Sequence, residues 1–160
     1  MEPVGTMRIV DGDLTDPRVV ALLQTHLVTA RAATALCSAH ALDIDGLRSP
    51  DVRLWAIWEG ETVLGVGALK RLTVDHGEVK SMHTAEAARR RGMGGMMLRH
   101  IIEAARQRGM TRLSLETGSS AYFHPAVALY RRHGFVPCPP FGEYVEDPNS
   151  VFLTLELRAG

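Results

Sequence analysis

The chain has 160 residues, 46% hydrophobic and 22% charged, which suits one compact domain with its own core over residues 1–160. Lys and Arg number 18 and so do Asp and Glu, so the molecule as a whole has no field that would gather nucleic acid or an anionic membrane surface. No apolar stretch approaches the roughly 20 residues of a membrane-spanning helix, and Met1-Glu2-Pro3 does not open like a signal peptide, so the expected compartment is the cytoplasm.

Met7-Arg8-Ile9-Val10 reads as a first strand, with Asp11, Gly12 and Asp13 as turn residues. Asp16-Pro17 predicts a helix N-cap with proline in the first turn, and Val19, Val20, Leu22, Leu23 and Leu27 give that helix an apolar face to about Ala33. Thr34 to Pro50 is mixed and reads as helix plus loop. Leu54-Trp55-Ala56-Ile57-Trp58, a turn at Glu59-Gly60-Glu61, and an extended Thr62 to Leu72 predict a hairpin. A second turn at Asp75-His76-Gly77 leads into Glu78 to Thr84 and completes a three-strand antiparallel meander.

Met97, Leu98, Ile101, Ile102 and Ala105 then recur at helical spacing, opposite Arg99, Glu103, Arg106 and Arg108, and Gly109 ends the helix. Arg112 to Thr117 is the next strand and Ala126 to His133 a short helix closed by Gly134. Phe135-Val136 starts another strand, Pro137-Cys138-Pro139-Pro140 is a rigid loop, and Val151 to Leu157 alternates as the last strand. Cys37 and Cys138 have no redox or metal-ligand spacing and read as reduced thiols; the histidines show no paired metal spacing either, so no metal is expected.

The feature richest in chemistry is Val79-Lys80-Ser81-Met82-His83-Thr84, a short polar stretch, and then Arg89-Arg90-Arg91-Gly92-Met93-Gly94-Gly95 opening the amphipathic helix. Glycines where a helix begins let unpaired N–H groups approach an anion that the helix dipole also favours, and the natural guest is a pyrophosphate. A dinucleotide fingerprint would need glycine at position 97, where Met97 stands, and a P-loop would need Gly-Lys-Ser/Thr after the glycines; neither is present.

What remains, Arg89-x-x-Gly92-x-Gly94 after a strand, resembles the acetyl-CoA signature of the GNAT superfamily of N-acyltransferases. A second match lies downstream: Ala126-Val127-Ala128-Leu129-Tyr130-Arg131-Arg132-His133-Gly134-Phe135 is similar to that superfamily's Ala-x-x-x-Tyr-x-x-x-Gly-Phe segment. One departure is visible, since the family often has Asn three residues before the alanine and this chain has Phe123. The resemblance implies an α/β fold: a mixed, mostly antiparallel twisted sheet of six to seven strands with about four helices, and central strands splayed so that pantetheine inserts between them.

The resemblance also implies acetyl transfer from acetyl-CoA to a primary amine of a small molecule or peptide, by direct attack in a ternary complex. By position, main-chain groups of Met82 and Thr84, with His83 between them, face the pantetheine and the thioester. The amides of Arg91, Gly92, Met93, Gly94 and Gly95 face the diphosphate. Arg89 matches the signature, and Arg90 and Arg91 are within reach of the 3′-phosphate. Tyr130 is the implied acid for the departing thiolate, and the base is Glu78, with Glu116, His83 or water as competitors. Ala30 to Leu47 and Pro139 to Ser150 are the expected walls of the acceptor site. Their acids Asp43, Asp45, Glu143, Glu146 and Asp147 would attract a cationic amine, with Phe141 and Tyr144 as apolar walls. A homodimer through the C-terminal strands is the oligomer the resemblance suggests. The alternative to an enzyme is an acyl-CoA-binding sensor module without turnover.

Overall fold

The computed structural model describes residues 6–33 and 44–157. Its elements are β1 (Met7–Asp11), α1 (Pro17–Ala32), α2 (Ile44–Leu47), β2 (Val52–Glu59), β3 (Thr62–Arg71), β4 (His76–Thr84), α3 (Met93–Gln107), β5 (Arg112–Gly118), α4 (His124–Arg132), β6 (Val136–Pro137) and β7 (Ser150–Glu156), with single 3-10 turns at Glu86–Ala88 and Ala121–Phe123. The strands form one sheet in the order β1-β2-β3-β4-β5-β7-β6. Every seam is antiparallel except β4 with β5, which run parallel because α3 carries the chain across between them.

Alternation along the strands sorts two cores onto opposite faces of the sheet. Trp55, Ile57, Leu69, Val79, Leu113, Leu115 and Leu153 face α3 and α4, where Met97, Leu98, Ile101 and Phe135 meet them. Leu54, Ala56, Trp58, Val66 and Ala68 face the other way, against Val19, Leu22 and Leu23 of α1 and Leu47 of α2. On β4, β5 and β7 that second face is polar: Glu78, Ser114 and Thr154 are all buried there. Helices therefore cover only half of it, and the rest is left to a loop.

The predicted elements recur with small shifts of boundary. Asp16 caps α1 by accepting from the Arg18 N–H at 2.9 Å, with Pro17 in the first turn. Helix α4 begins at His124, two residues before the expected Ala126, because Pro125 is tolerated in a first turn. Phe135, read as the start of a strand, belongs to the cap of α4. Its N–H donates to the Tyr130 carbonyl at 3.1 Å, the Gly134 N–H donates to Arg131 at 3.1 Å, and the Phe135 ring lies 5.9 Å from that of Tyr130. This is a complete Schellman cap, with glycine in the left-handed region at φ +96°. The helix-plus-loop reading of 34–50 yields α2; residues 34–43, Cys37 and Asp43 among them, lie outside the described residues.

Gly134→Ala forces a side chain into that left-handed conformation and sets its Cβ 3.3 Å from Leu155. The variant should lose about 1–2 kcal/mol of stability in chemical denaturation, and an unchanged midpoint would show that the cap does not constrain α4.

Candidate active site

The parallel seam is short. His76, Gly77 and Glu78 pair with Arg112, Leu113 and Ser114, and the pairing stops there, although β4 runs on to Thr84 and β5 to Gly118. The two strands diverge beyond Glu78, as the expected splay requires. Divergence coincides with a bulge in β4: its register against β3 slips between Val66 and Ala68, and Ser81 adopts φ +56°. A serine in that region is a local strain, and its buried hydroxyl has no hydrogen-bond partner.

At the open end of the splay the chain enters α3 through a second irregular stretch. Arg90 (φ +67°) and Gly92 (φ +82°) turn the backbone left-handed just before the helix. The main-chain N–H groups of Arg91, Gly92, Met93, Gly94 and Gly95 find no acceptor among the described residues, and no side chain caps the helix. Orphan donors at a helix N-terminus suit a diphosphate. Gly94 has a further role that its motif did not reveal: a Cβ there would stand 2.9 Å from Leu129 of α4, so its bareness lets two helices pack closely. The Arg91 guanidinium pairs with Glu59 at 2.8 Å, while Arg89 and Arg90 are exposed.

Tyr130 is 6% exposed, and its hydroxyl makes no hydrogen bond among the described residues. Burial alone pushes its pKa well above that of an ordinary phenol, so it holds its proton at neutral pH. Phe123, which replaces the family's asparagine, seats its ring on Gly118, where there is no space for a Cβ.

Glu78 sits at the apex of the splay and is 3% exposed. The Tyr144 hydroxyl donates to its Oε2 at 2.6 Å and Lys80 Nζ lies 3.3 Å from the same oxygen, while Lys80 donates to Tyr144 Oη at 2.8 Å. Burial and the adjoining Glu78 carboxylate raise the Tyr144 pKa, which keeps it a donor. Neither Lys80 nor this role of Tyr144 was foreseen from the sequence, although a lysine two residues beyond Glu78 on a strand must share its face. The competing carboxylate, Glu116, accepts from Ser150 Oγ at 2.7 Å.

Tyr144 is held in place by a ring cluster with Phe141 and Phe152, at 5.2 and 5.6 Å. The loop carrying it closes one side of a cleft of about 650 Å³ lined by Lys70, Arg71, His76, Glu78, Lys80 and Tyr144 among others. Of the acids expected to wall the acceptor site, Glu143 lines this cleft, Asp45 pairs with Arg48, and Asp147 accepts from the Asn149 N–H. Among the described residues no group of three or more His, Cys, Asp or Glu could hold a metal ion. No helix among them is long and apolar enough to cross a membrane.

His83 does not stand alone on β4. Its Nδ1 lies 3.2 Å from Nδ1 of His26 on α1, and one ring donates to the other. Burial, with His83 and Lys80 nearby, depresses the His26 pKa to about 4. The unfolded chain protonates that ring near 6.5, so it binds the extra proton and the fold loses stability as pH falls from 6.5 toward 4. In His26→Gln the melting temperature should therefore fall less steeply across that window than in the unaltered chain; equal slopes would mean that His26 is not held neutral.

Residues 19–135 match the Acetyltransferase (GNAT) family. The chain is 48% identical over 151 residues to YsnE of Bacillus subtilis (strain 168), named an uncharacterized N-acetyltransferase, covering 94% of this chain and 100% of that protein. It is 48% identical over 145 residues to YedL of Escherichia coli (strain K12), named likewise, covering 91% of each. In three dimensions it is similar to a GNAT family acetyltransferase of Elizabethkingia anophelis solved with acetyl-CoA bound: TM-score 0.71, 21% identity, 96% of this chain and 99% of that one. The match of the family across most of the chain, two relatives aligned nearly end to end, and a sheet that splays where the family requires it lead to one conclusion: the chain belongs to the GNAT acetyltransferase family and is an acyltransferase.

Proposed function

We propose that this enzyme moves the acetyl group of acetyl-CoA to a primary amine of a small molecule or peptide, by direct attack within a ternary complex. One observation carries the reading. The seam between β4 and β5 opens at Glu78, with unpartnered helix-terminal amides at one end of the opening and the cleft at the other. Residues 79–84 extend roughly 16 Å from apex to open end at strand rise, which is the path for pantetheine.

In this reading the amides of Arg91 to Gly95 hold the diphosphate and Arg89 and Arg90 meet phosphate charge. Unladdered main chain of Met82, His83 and Thr84 lines the pantetheine arm. Acetyl-CoA supplies an acyl carbon activated by a leaving group that departs as a thiolate. The amine lone pair forms the C–N bond as the C–S bond breaks. Glu78 takes the proton from nitrogen, directly or through water, and Tyr130 gives one to sulfur. Solvent then returns the proton from Glu78 to Tyr130. Burial keeps Tyr130 protonated and so able to donate to the departing thiolate, although the same burial makes it a weaker acid, and no covalent enzyme intermediate is needed. The same reading takes residues 1–160 as one catalytic domain, cytoplasmic, and dimeric through the β6 edge, where only two residues pair with β7.

Thiol release from acetyl-CoA across a panel of amines tests the activity, and a panel without any turnover would reject it. Tyr130→Phe should lower turnover by about 10²-fold or more while calorimetry finds acetyl-CoA affinity nearly unchanged; full turnover at saturating substrates would remove Tyr130 as the acid. Gly92→Val should weaken acetyl-CoA binding by about tenfold or more, because relaxing the left-handed turn swings the amides away; unchanged affinity would place the diphosphate elsewhere.

A further inference from the structure

Lys70 is the antiparallel partner of Glu78 across the β3–β4 seam. Directly opposed residues bring their Cβ atoms to about 5 Å, and opposite charges there ordinarily pair. Here they do not. Glu78 is taken by Tyr144 and Lys80, and the Lys70 ammonium has neither hydrogen bond nor ion pair among the described residues. Arg71, the next residue of the strand, points to the other face, where it lies near Arg108 and donates to the Val74 carbonyl at 3.1 Å. Lys70 is half-buried, whereas the other two acids of the cleft, Asp51 and Glu143, are exposed.

A buried carboxylate already matched by one lysine, with a further lysine facing it unmatched, leaves one positive charge for a ligand to answer. We infer that Lys70 binds a carboxylate of the acceptor, and that the acceptor is a free amino acid whose amine lies at Glu78 while its carboxylate lies at Lys70. The inference rests on the amine-acceptor reading above and narrows its substrate class. A cleft of about 650 Å³ is of small-molecule size. The short spacing of Lys70 and Glu78 across one strand pair suits an amine and an acid close together on one molecule. Charge-assisted contact with an ammonium fixes the acid end and orients the nitrogen. A peptide N-terminus, whose first carboxyl is an amide, lacks that group.

The test uses the full chain with acetyl-CoA and α-amino acids, each beside its carboxamide and its decarboxylated amine. The expected kcat/KM is about tenfold or more higher for the acid than for either analogue, the worth of one charged hydrogen bond. Lys70→Met should raise KM for the acid by a similar factor and leave the analogues unchanged, and Lys70→Arg should restore much of the preference. Equal turnover of acids, amides and decarboxylated amines overturns the carboxylate assignment while the amine-acceptor reading stands. So does a Lys70→Met variant that slows all three alike. Thiol release from none of them overturns this inference, and if the wider amine panel is silent as well while acetyl-CoA still raises the melting temperature, the amine-acceptor reading falls with it.

Discussion

The divergence of two parallel strands after three residue pairs is the constraint on which the rest of this structure depends. A sheet normally satisfies each strand on both sides, and an interior strand left without a neighbour exposes ladder donors and acceptors at a free-energy cost. Here that cost falls on β4 beyond Glu78 and on β5 beyond Ser114. The bulge at Ser81 bends β4 away, the 3-10 turn at Glu86–Ala88 redirects the chain, and α3 begins with its own amides unsatisfied. Each of these is locally unfavourable. Together they align open main-chain groups along one line, as a strand-like ligand with a charged head requires.

The packing of the two faces keeps this opening from collapsing. On one face α3 and α4 cover the whole central sheet with large apolar side chains, and Tyr130 and Phe135 lock the end of α4 against it. On the other face α1 and α2 lie mainly over β2 and β3, and α1 reaches β4 near its end, where His26 meets His83. The residues left over are Glu78, Lys80, Ser114, Glu116 and Thr154, which satisfy one another or the covering loop: Ser114 bonds to Thr154 at 2.9 Å and to His76 at 2.7 Å, and Ser150 bonds to Glu116. Burying polar groups is costly unless they are bonded, and these are bonded. The network therefore holds a polar floor under the splay while leaving a cleft above it.

Glu78 links the two halves of the site. It is the last residue of the parallel seam and a wall of the cleft, so the opening between the strands and the cleft meet at one carboxylate. Tyr144 reaches it from a loop 66 residues later in the chain, anchored by Phe141 and Phe152. Burying a carboxylate so far from water requires such partners. They also fix its orientation, which is what the base role proposed for it requires.

Much of this was legible in residues 52–135. Period-two runs with short glycine turns specify the meander, the 3.6 period of Met97 to Ala105 specifies α3, and Gly92 and Gly134 mark backbone turns that other residues resist. These are local properties, fixed within a few residues, and two such patterns in the right order were enough to identify the family. Contacts made across the chain were not legible: the closure of Tyr144 over Glu78, the pairing of His26 with His83, the seating of Leu129 on Gly94, and the diversion of Arg91 to Glu59. The sequence by itself determined which strands and helices form and where an anion is welcome, because hydrophobic period and glycine conformation act over a single turn. Only the tertiary structure decided which distant side chains meet, because partners separated by 32 to 66 residues are chosen by the sheet's register and by the loop laid over it.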